Sequence, residues 1–187
     1  EAATLREIVA RVLAADLPGL EKELLVIDDG SRDGTREVLR ELDGKGGVRA
    51  LFHPRNTGKG AAVWTGMRAS TGDVVLIQDA DLEYDPREYP TLLRPILEGE
   101  ADVVYGSRFL GTSAGHRVLY FWHSVGNWLL TLMSNMITDL NLTDMETCYK
   151  VFRREVLQGF PLVEQRFGIE PELTARVGRA NLRVSEV

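Results

Sequence analysis

Short apolar runs alternate with segments of helical periodicity through the first half of this chain. The runs have the length of buried strands and occupy residues 24–27, 48–52, 74–77 and 102–105. Apolar residues recur at helical spacing in the segments 5–13, 35–42 and 58–70, which predicts three helices. The first of these helices is expected to end near residues 17–19. Strands separated by helices form right-handed βαβ units, which build parallel sheets. We therefore predict an α/β fold with a mostly parallel central sheet flanked by helices.

The pattern is less regular after the fourth run. Residues 117–137 predict one long helix rich in aromatic residues, residues 148–152 a strand, and residues 171–178 a helix opened by Pro171. The last residues, 181–187, have a strand-like pattern. Before the fourth run, three residues predict the start of a helix with a capping box, in which Asp85 is the N-cap and Pro86 and Glu88 are the first and third helical residues.

Length and charge limit the classes of protein that need to be considered. The 187 residues suit one domain, spanning residues 1–187, and no repeat or linker divides it. The formal charge of −6 argues against a nucleic-acid-binding protein, because such proteins carry basic surfaces. Cys148 is the single cysteine, so no internal disulfide can form and a reducing, cytoplasmic location is expected. No uncharged apolar stretch is long enough to span a membrane.

Two of the predicted strands end in pairs of carboxylates. Asp28 and Asp29 follow the first strand, and Asp79 and Asp81 follow the third, with Glu83 just beyond. The carboxyl ends of parallel strands meet at one edge of the sheet, where ligands bind in open α/β folds. Carboxylates gathered there repel one another unless a cation compensates them, and oxygen ligands suit Mg²⁺ or Mn²⁺ with a substrate diphosphate. The alternative interpretation is that both pairs are solvated turns.

Other candidate residues carry weaker signals. Gly58, Lys59 and Gly60 open a helix whose N–H groups and lysine could meet a phosphate, although the glycine spacing is not that of a P-loop. The three histidines lack metal-ligand spacing and are interpreted as structural or surface residues; they are His53, His116 and His123. Cys148 is interpreted as a small buried apolar side chain.

Five segments, in this order, resemble glycosyltransferase family 2. They are VIDDGSRDGT from Val26, NTGKGAAVWTG from Asn56, VVLIQDADLEYDP from Val74, VVYGSRF from Val103 and TDMETCYKVFRREVL from Thr143. The last resembles the bacterial branch of dolichyl- or polyprenyl-phosphate sugar synthases. The resemblance implies a GT-A fold, which is Rossmann-like, and a metal-dependent, inverting transfer from a nucleotide-diphosphate sugar.

The resemblance also implies roles for individual residues. Asp28 and Asp29 match an acidic pair that contacts the base and ribose, and Lys59 matches a basic residue near the donor. The remaining nucleotide-sugar contacts implied are Gln78, Asp79, Ala80, Asp81, Ser107 and Arg108. Asp79, Asp81 and Glu83 are the implied ligands of Mg²⁺ or Mn²⁺. The implied residues on the acceptor side are Asp144, Glu146 and Arg117.

The acceptor decides what these last residues do. A hydroxyl acceptor, on a glycan or a protein, needs a carboxylate to take its proton, and Asp144 is the first choice with Glu146 the second. A polyprenyl (dolichyl) phosphate, the acceptor that the resemblance favours, is already anionic. Asp144 then positions neighbouring groups, and Arg117 steadies the phosphate.

Residues 117–137 allow two interpretations. Their Trp and Tyr side chains suit a membrane interface, which would place the protein at the inner face of the membrane and admit a polyprenyl chain. Alternatively, the helix lies in the core or in a homodimer interface.

Family members usually begin with a strand and a Pro-x-Tyr-Asn-Glu-like loop that holds the nucleobase. The chain begins after that element, so we expect a catalytic domain without the first strand and without a C-terminal extension. Two other classes remain open: a domain that binds nucleotide-sugars without turnover, and a nucleotidyltransferase. The second lacks the glycine-rich, arginine-containing N-terminal loop expected of it.

Overall fold

The structure is a computed structural model that describes residues 2–110 and 120–187. Its helices are α1 (Ala2–Ala14), α2 (Thr35–Leu42), α3 (Lys59–Ala69), α4 (Tyr89–Leu97), α5 (Phe121–Thr138), α6 (Arg154–Gln158) and α7 (Ile169–Arg179). Its strands are β1 (Leu24–Asp28), β2 (Val48–Phe52), β3 (Val74–Leu76), β4 (Val103–Tyr105), β5 (Lys150–Arg153) and β6 (Val184–Glu186). The helices and strands predicted for the first half of the chain are found, and α2 and β2 have the predicted bounds.

The strands form two sheets. β1 pairs with β2 in parallel, and the other four strands lie in the order β3-β5-β4-β6. β4 and β6 are parallel, whereas β5 runs antiparallel to both of its neighbours. Within this four-stranded sheet, β3, β4 and β6 therefore share one direction and β5 alone is reversed. The alternation of strands and helices could not predict this reversal, because the connection from β4 to β5 is long and contains α5.

β4 lies between two apolar clusters. Val104 belongs to one of them, with side chains of α1, α2 and α4. Val103 and Tyr105 belong to the other, with side chains of α7. Because neighbouring side chains of a strand point to opposite faces, the sheet has helices packed on both sides. This arrangement leaves the strand ends and the loops beyond them as the accessible edge.

Several predicted boundaries need correction. The segment after Asp85 begins as a 3-10 turn at Pro86–Glu88, and the Asp85 carboxylate accepts the N–H of Arg87 rather than that of Glu88. β5 begins at Lys150 instead of residue 148, because the N–H of Cys148 donates to the Tyr84 hydroxyl and not to a strand.

Helix ends also differ from expectation. α1 stops at Ala14, before residues 17–19, because the Lys22 ammonium takes the carbonyls that end the helix. α5 begins at Phe121, and residues 117–119 of the predicted helix lie outside the described residues. α7 contains Pro171 in its first turn, as predicted, but starts two residues earlier. Among the residues that the structure describes, no helix is long and apolar enough to cross a bilayer.

Candidate active site

Asp28 ends β1 as a buried structural carboxylate. Its side chain is 0% exposed and forms an ion pair with Arg36, with Oδ2 and Nε 3.0 Å apart. It also accepts the N–H groups of Gly30 and Ser31, which closes the turn after the strand. A side chain with no exposure cannot reach a ligand in this structure. The structure gives Asp28 a role in shaping the turn, and the contact with the nucleotide that the resemblance implied for it stays a prediction.

Asp29 binds the turn that precedes α3. Its carboxylate accepts the N–H of Thr57 at 2.9 Å, the N–H of Gly58 at 2.6 Å and the Thr57 hydroxyl at 2.8 Å. The Nδ1 atom of His53 lies 2.7 Å from the same carboxylate. Burial alone would raise the pKa of Asp29, but the hydrogen bonds from Thr57, His53 and Gly58 outweigh it and lower the pKa. Asp29 therefore stays ionised and fixes residues 57–58, with 16% of its side chain still exposed.

Lys59, the next residue, joins this turn to the second acidic pair. Its Nζ lies 3.1 Å from Asp79 Oδ2 and 2.8 Å from Glu170 Oε1. Burial would lower the pKa of Lys59, but the carboxylates of Asp79 and Glu170 outweigh it and raise the pKa. Residues 57–59 thus contact Asp29 on one side and Asp79 on the other, so the two acidic strand ends meet at one turn.

The start of α3 is partly covered by other segments of the chain. The N–H of Gly58 is taken by Asp29, and the N–H of Ala61 donates to the Gln165 carbonyl at 3.0 Å. The backbone of residues 164–166 lies directly on the helix start, because a Cβ at Gly60 would lie 2.4 Å from the Glu164 carbonyl oxygen. The N–H groups of Gly58 and Ala61 are therefore already used, and the Lys59 ammonium is the cation at this helix start.

The acidic segment after β3 is anchored at its start and exposed at its end. Gln78 accepts the hydroxyls of Tyr89 and Tyr149, each at 2.9 Å, and the Ala80 carbonyl accepts the Thr4 hydroxyl. Asp81 is exposed, and its Oδ1 accepts the N–H of Glu83 at 2.9 Å. These hydrogen bonds of Gln78 and Ala80 fix the position of the segment's backbone.

The carboxylates of this segment fit a divalent cation in part. Mg²⁺ commonly takes one or two carboxylates and completes its shell with water and substrate phosphates. Asp79 and Asp81 supply such a pair. Across residues 2–110 and 120–187, no three His, Cys, Asp or Glu side chains converge as a metal site, so Glu83 is not gathered with the two aspartates.

Asp144 and Arg108 form a buried ion pair beyond β4. Arg108 Nε lies 2.7 Å from Asp144 Oδ2, Nη2 lies 2.8 Å from Oδ1, and the Arg108 N–H also donates to Oδ2. Asp144 is 0% exposed, and its hydrogen bonds raise the pKa of Arg108. Beside the pair, the hydroxyls of Ser107 and Thr143 lie 2.6 Å apart. Arg117, the other predicted cation, lies outside the described residues.

Further charges are buried beneath the site. Glu146 is partly buried, and burial, followed by the Glu170 carboxylate, raises its pKa. Lys150 is fully buried and donates to the Thr147 carbonyl; burial lowers its pKa to about 8, against the attraction of Glu170. Burial also raises the pKa of the Cys148 thiol, which agrees with its interpretation as a neutral buried side chain.

Sequence reasoning missed Glu170, Lys150 and the contacts of His53. Glu170 looked like an ordinary acidic residue in the first turn of a helix, and Lys150 like an ordinary strand residue. His53 was interpreted as structural or as a surface residue, and its Nε2 contacts Thr65 at 2.9 Å while Nδ1 contacts Asp29. A lysine flanked by apolar residues in a predicted strand is the one signal that could have drawn attention to Lys150.

α5 is amphipathic in an unusual sense, because its inner face is polar. Asn127 and Thr131 are buried, and Thr131 accepts the N–H of Met145. The outer face is apolar and exposed, and it consists of Phe121, Trp122, Val125, Trp128, Leu129, Leu132, Met133, Met136 and Ile137. We call this set the outer face of α5. The opposite, buried face of α5 contacts the ion pair, since Arg108 Nη2 donates to the side-chain Oδ1 of Asn127 at 3.2 Å.

Comparison with known proteins gives consistent matches to sugar transferases. The sequence model of glycosyl transferase family 2 matches residues 1–160. The undecaprenyl-phosphate 4-deoxy-4-formamido-L-arabinose transferase of Aeromonas hydrophila subsp. hydrophila is 29% identical over 188 residues, which cover 98% of this chain and 55% of the relative. The transferase of the same name from Pseudomonas aeruginosa is 32% identical over 177 residues, which cover 92% of this chain and 50% of the relative.

A solved structure shows the same fold. It is glucosyl-3-phosphoglycerate synthase from Mycobacterium tuberculosis in complex with Mn²⁺, uridine diphosphate and glucosyl-3-phosphoglycerate. The TM-score is 0.76 at 24% identity, over 100% of this chain and 65% of that chain. This likeness confirms the predicted α/β GT-A fold. The chain spans about half the length of the curated relatives it matches.

Proposed function

The chain belongs to glycosyl transferase family 2, and we propose that it is the catalytic domain of an inverting enzyme that transfers a sugar from a nucleotide-diphosphate sugar to polyprenyl phosphate. The observation that carries the proposal is the turn at residues 57–59, where Asp29 and Asp79 contact the same short segment. The names of the curated relatives, which are undecaprenyl-phosphate sugar transferases, support the choice of acceptor.

The donor side consists of residues that can hold a nucleotide diphosphate. Lys59 presents an ammonium beside Asp79, where it can meet a phosphate, and Asp29 has an exposed edge that can accept a ribose hydroxyl. Gln78, Ala80 and the buried Asp28 shape the backbone around the donor. Ser107 and Arg108 follow β4; we keep Ser107 on the donor side and assign Arg108 to the acceptor side.

A divalent cation, Mg²⁺ or Mn²⁺, belongs to the proposal. Asp79 and Asp81 would hold it with Glu83 nearby, and the Mn²⁺ bound to the structurally similar synthase supports this choice. When bound, the metal neutralises charge on the leaving nucleoside diphosphate. Lys59, held by Glu170, adds a second positive charge near the same phosphates.

The acceptor side favours a nucleophile that needs no base. Asp144 is fully buried and both of its oxygens accept from Arg108, so it positions Arg108 rather than taking a proton. A lipid phosphate is already ionised at neutral pH and attacks without proton transfer. Arg108 and Arg117 are the cations proposed to hold it.

One observation favours a second candidate acceptor, a hydroxyl group. Glu146 is partly buried and its pKa is raised, which suits a carboxylate that receives a proton during turnover. If the acceptor is a hydroxyl, Glu146 replaces Asp144 as the proposed base, because Asp144 is fully occupied.

The outer face of α5 supports contact with a membrane. It carries no Asp, Glu, Lys or Arg, and it exposes Trp122 and Trp128, which suit the interface between water and lipid. Arg108 contacts the buried side of the same helix through Asn127, so we propose that a lipid bound by its phosphate at Arg108 leaves its chain in the bilayer. We therefore propose that the reaction takes place at the cytoplasmic side, which the single cysteine also favours. The competing occupant is a second copy of the chain in a homodimer.

Transfer from labelled donors tests the proposal. UDP-, GDP- and dTDP-sugars are incubated with undecaprenyl phosphate vesicles and Mg²⁺ or Mn²⁺, and the glycolipid is separated by extraction. We expect glycolipid with one nucleotide class and none with EDTA. Transfer to undecaprenol or a soluble glycan, but not to the phosphate, would establish the hydroxyl alternative. Nucleotide-sugar binding without transfer to any acceptor would contradict the assignment as an enzyme.

A further inference from the structure

β6 lies directly beside the residues of the acceptor side. It pairs in parallel with β4, and the ladder places Glu186 opposite Tyr105. The pairing continues past the strand, because the Val187 N–H donates to the Tyr105 carbonyl and the Ser107 N–H donates to the Val187 carbonyl. The backbone that leads into Arg108 is therefore held by β6.

Glu186 also holds the opposite half of the ion pair. Its Oε1 accepts the N–H of Thr143 at 2.9 Å and the N–H of Asp144 at 3.0 Å, and Oε2 accepts the Thr143 N–H at 2.9 Å. These N–H groups belong to the loop between α5 and β5, which has no ladder to fix it. A carboxylate that accepts consecutive N–H groups fixes both the position and the direction of such a loop.

One strand thus supports both partners of the Asp144–Arg108 pair. The backbone of β6 holds the segment that carries Arg108, and the Glu186 side chain holds the segment that carries Asp144. A buried bidentate pair is sensitive to small displacements, because both hydrogen bonds must keep their length and angle. Loss of either support should loosen the guanidinium.

We propose that Glu186 is a positioning residue for the acceptor side of the site, acting through Asp144 to orient Arg108. This inference rests on the proposed function, because the consequence for catalysis requires that Arg108 faces the acceptor. Among the residues that the structure describes, no hydrogen bond or ion pair joins Glu186 to Asp29, Lys59 or Asp79, so the affinity of the donor side for nucleotide should not depend on Glu186.

Three variants of the full chain test the inference. Glu186→Ala removes both acceptor oxygens, Glu186→Gln keeps one oxygen in the position of Oε1, and Ser185→Ala is the matched control on the opposite face of the same strand. Exchange of the Thr143 and Asp144 amide protons and of the Arg108 Nε proton is followed by NMR. We expect exchange to accelerate about ten-fold or more in Glu186→Ala, less in Glu186→Gln, and not at all in Ser185→Ala.

Kinetics separate positioning from a structural effect. The turnover number for transfer to lipid phosphate should fall about ten-fold or more in Glu186→Ala and recover in part in Glu186→Gln. The dissociation constant of the metal–nucleotide complex should stay within about two-fold of the wild type, because the hydrogen bonds of Glu186 go to Thr143 and Asp144 and not to Lys59 or Asp79. If Glu186→Ala does not fold, the comparison of Glu186→Gln with Ser185→Ala carries the test.

Two results would overturn the inference. One is unchanged proton exchange at Thr143, Asp144 and Arg108 in both Glu186 variants. The other is accelerated exchange with an unchanged turnover number, which would make Glu186 a structural residue only. If the wild type transfers no sugar, the proposed function fails. The exchange and nucleotide-binding measurements, which need no turnover, then show separately whether Glu186 fixes the ion pair.

Discussion

At the scale of single residues, Lys59 links the donor side to the interior. It is the shared partner of Asp79, which faces the proposed metal, and of Glu170, whose side chain is only 8% exposed. Removing one member of a buried pair leaves the other charged and uncompensated, which costs more than the pair itself contributes. Lys59 and Glu170 should therefore act as a unit.

A double-mutant cycle of Lys59→Met and Glu170→Gln measures this coupling. We expect each single variant to destabilise the fold by about 2 kcal/mol and the double variant by clearly less than the sum, because the second substitution removes the uncompensated charge. Urea denaturation gives the free energies of unfolding. The exposed pair Arg6–Glu41 is the control, and its coupling should be undetectable. Additive effects at Lys59 and Glu170 would show that the pair is not coupled.

Asp81→Asn tests the proposed metal site. Asp81 is exposed, and asparagine keeps the oxygen that accepts the Glu83 N–H, so stability should be unchanged. The rate of metal-dependent transfer should fall about 100-fold or more, because a charged ligand of the cation is lost. Asp73→Asn, an exposed change of the same charge just before β3, is the control. Unaltered turnover in Asp81→Asn would remove this residue from the site.

The buried Lys150 predicts a dependence of stability on pH. Its pKa is lowered to about 8 from an ordinary value of 10.5, so between these values the unfolded chain binds the proton more tightly than the folded one. Stability should therefore rise as the pH increases from about 8, by about 3 kcal/mol at most. Urea denaturation of wild type and Lys150→Met at pH 7, 8, 9 and 9.5 gives the difference. A constant difference in the free energy of unfolding across this pH window would contradict the lowered pKa of the buried Lys150 side chain.

Residue patterns alone were enough to select part of this candidate site. Asp79, Asp81 and Lys59 could be selected because they follow a strand or open a helix, which are local features. The pairing of Lys59 with Glu170 and of Arg108 with Asp144 joins residues that are far apart in sequence, and charge alone does not specify a partner. For the same reason the burial of Asp28, which depends on Arg36 of α2, was not predictable from the Asp-Asp pattern.

At the scale of elements, the start of α3 depends on a close approach of two backbones. Gly58 has φ +108, and a Cβ added there would lie 2.3 Å from the Gln165 carbonyl oxygen. The glycines that suggested a phosphate-binding loop are thus required for packing against residues 164–166. The two glycines did indicate a close approach to the backbone, but what approaches them is the backbone of residues 164–166 and not a phosphate.

Two glycine substitutions distinguish this packing from ordinary helix propensity. Gly60→Ala places a Cβ 2.4 Å from the Glu164 carbonyl oxygen and should destabilise the fold by about 1–3 kcal/mol. Gly126→Ala in α5 meets nothing within 4 Å and should stabilise by up to about 1 kcal/mol. Thermal unfolding of both variants measures the contrast. Equal effects at the two positions would show that residues 164–166 do not lie on α3.

Strands were predictable where they alternate with helices and less so where they do not. β1 to β4 were found close to their predicted bounds, since each is an apolar run between turn residues. β5 was located to within two residues, but its direction was not foreseen. Direction depends on which neighbours a strand pairs with, and that pairing is a long-range property of the fold.

At the scale of the whole molecule, the outer face of α5 departs from the usual distribution of side chains. Trp122 is 79% exposed and Trp128 is 62% exposed. Large apolar patches that remain exposed on a protein usually mark a binding surface. The aromatic composition was evident from the sequence. Which side of the helix is exposed could only come from the structure, because the buried side carries Asn127 and Thr131.

Vesicle binding tests the role of this surface. The double variant Trp122→Ser, Trp128→Ser should bind undecaprenyl-phosphate-containing vesicles about ten-fold more weakly than wild type, because two interfacial anchors are lost. Its melting temperature should not fall, since both side chains are exposed. Phe167→Ser, at a residue that is 80% exposed outside α5, is the control. Unchanged vesicle binding with a shift from dimer to monomer would assign the face to a second copy.

The reversed strand β5 has a consequence for how this domain is made. β3 carries the acidic segment, and its ladder partner is β5, so Val74 finds Arg153 only after the intervening stretch has been translated. At ordinary elongation speeds the ribosome needs about 4 to 15 seconds for that stretch, during which the apolar strand β3 has no pairing partner. Nascent chains that stall between β3 and β5 should therefore bind chaperones or aggregate more than chains that stall after β5.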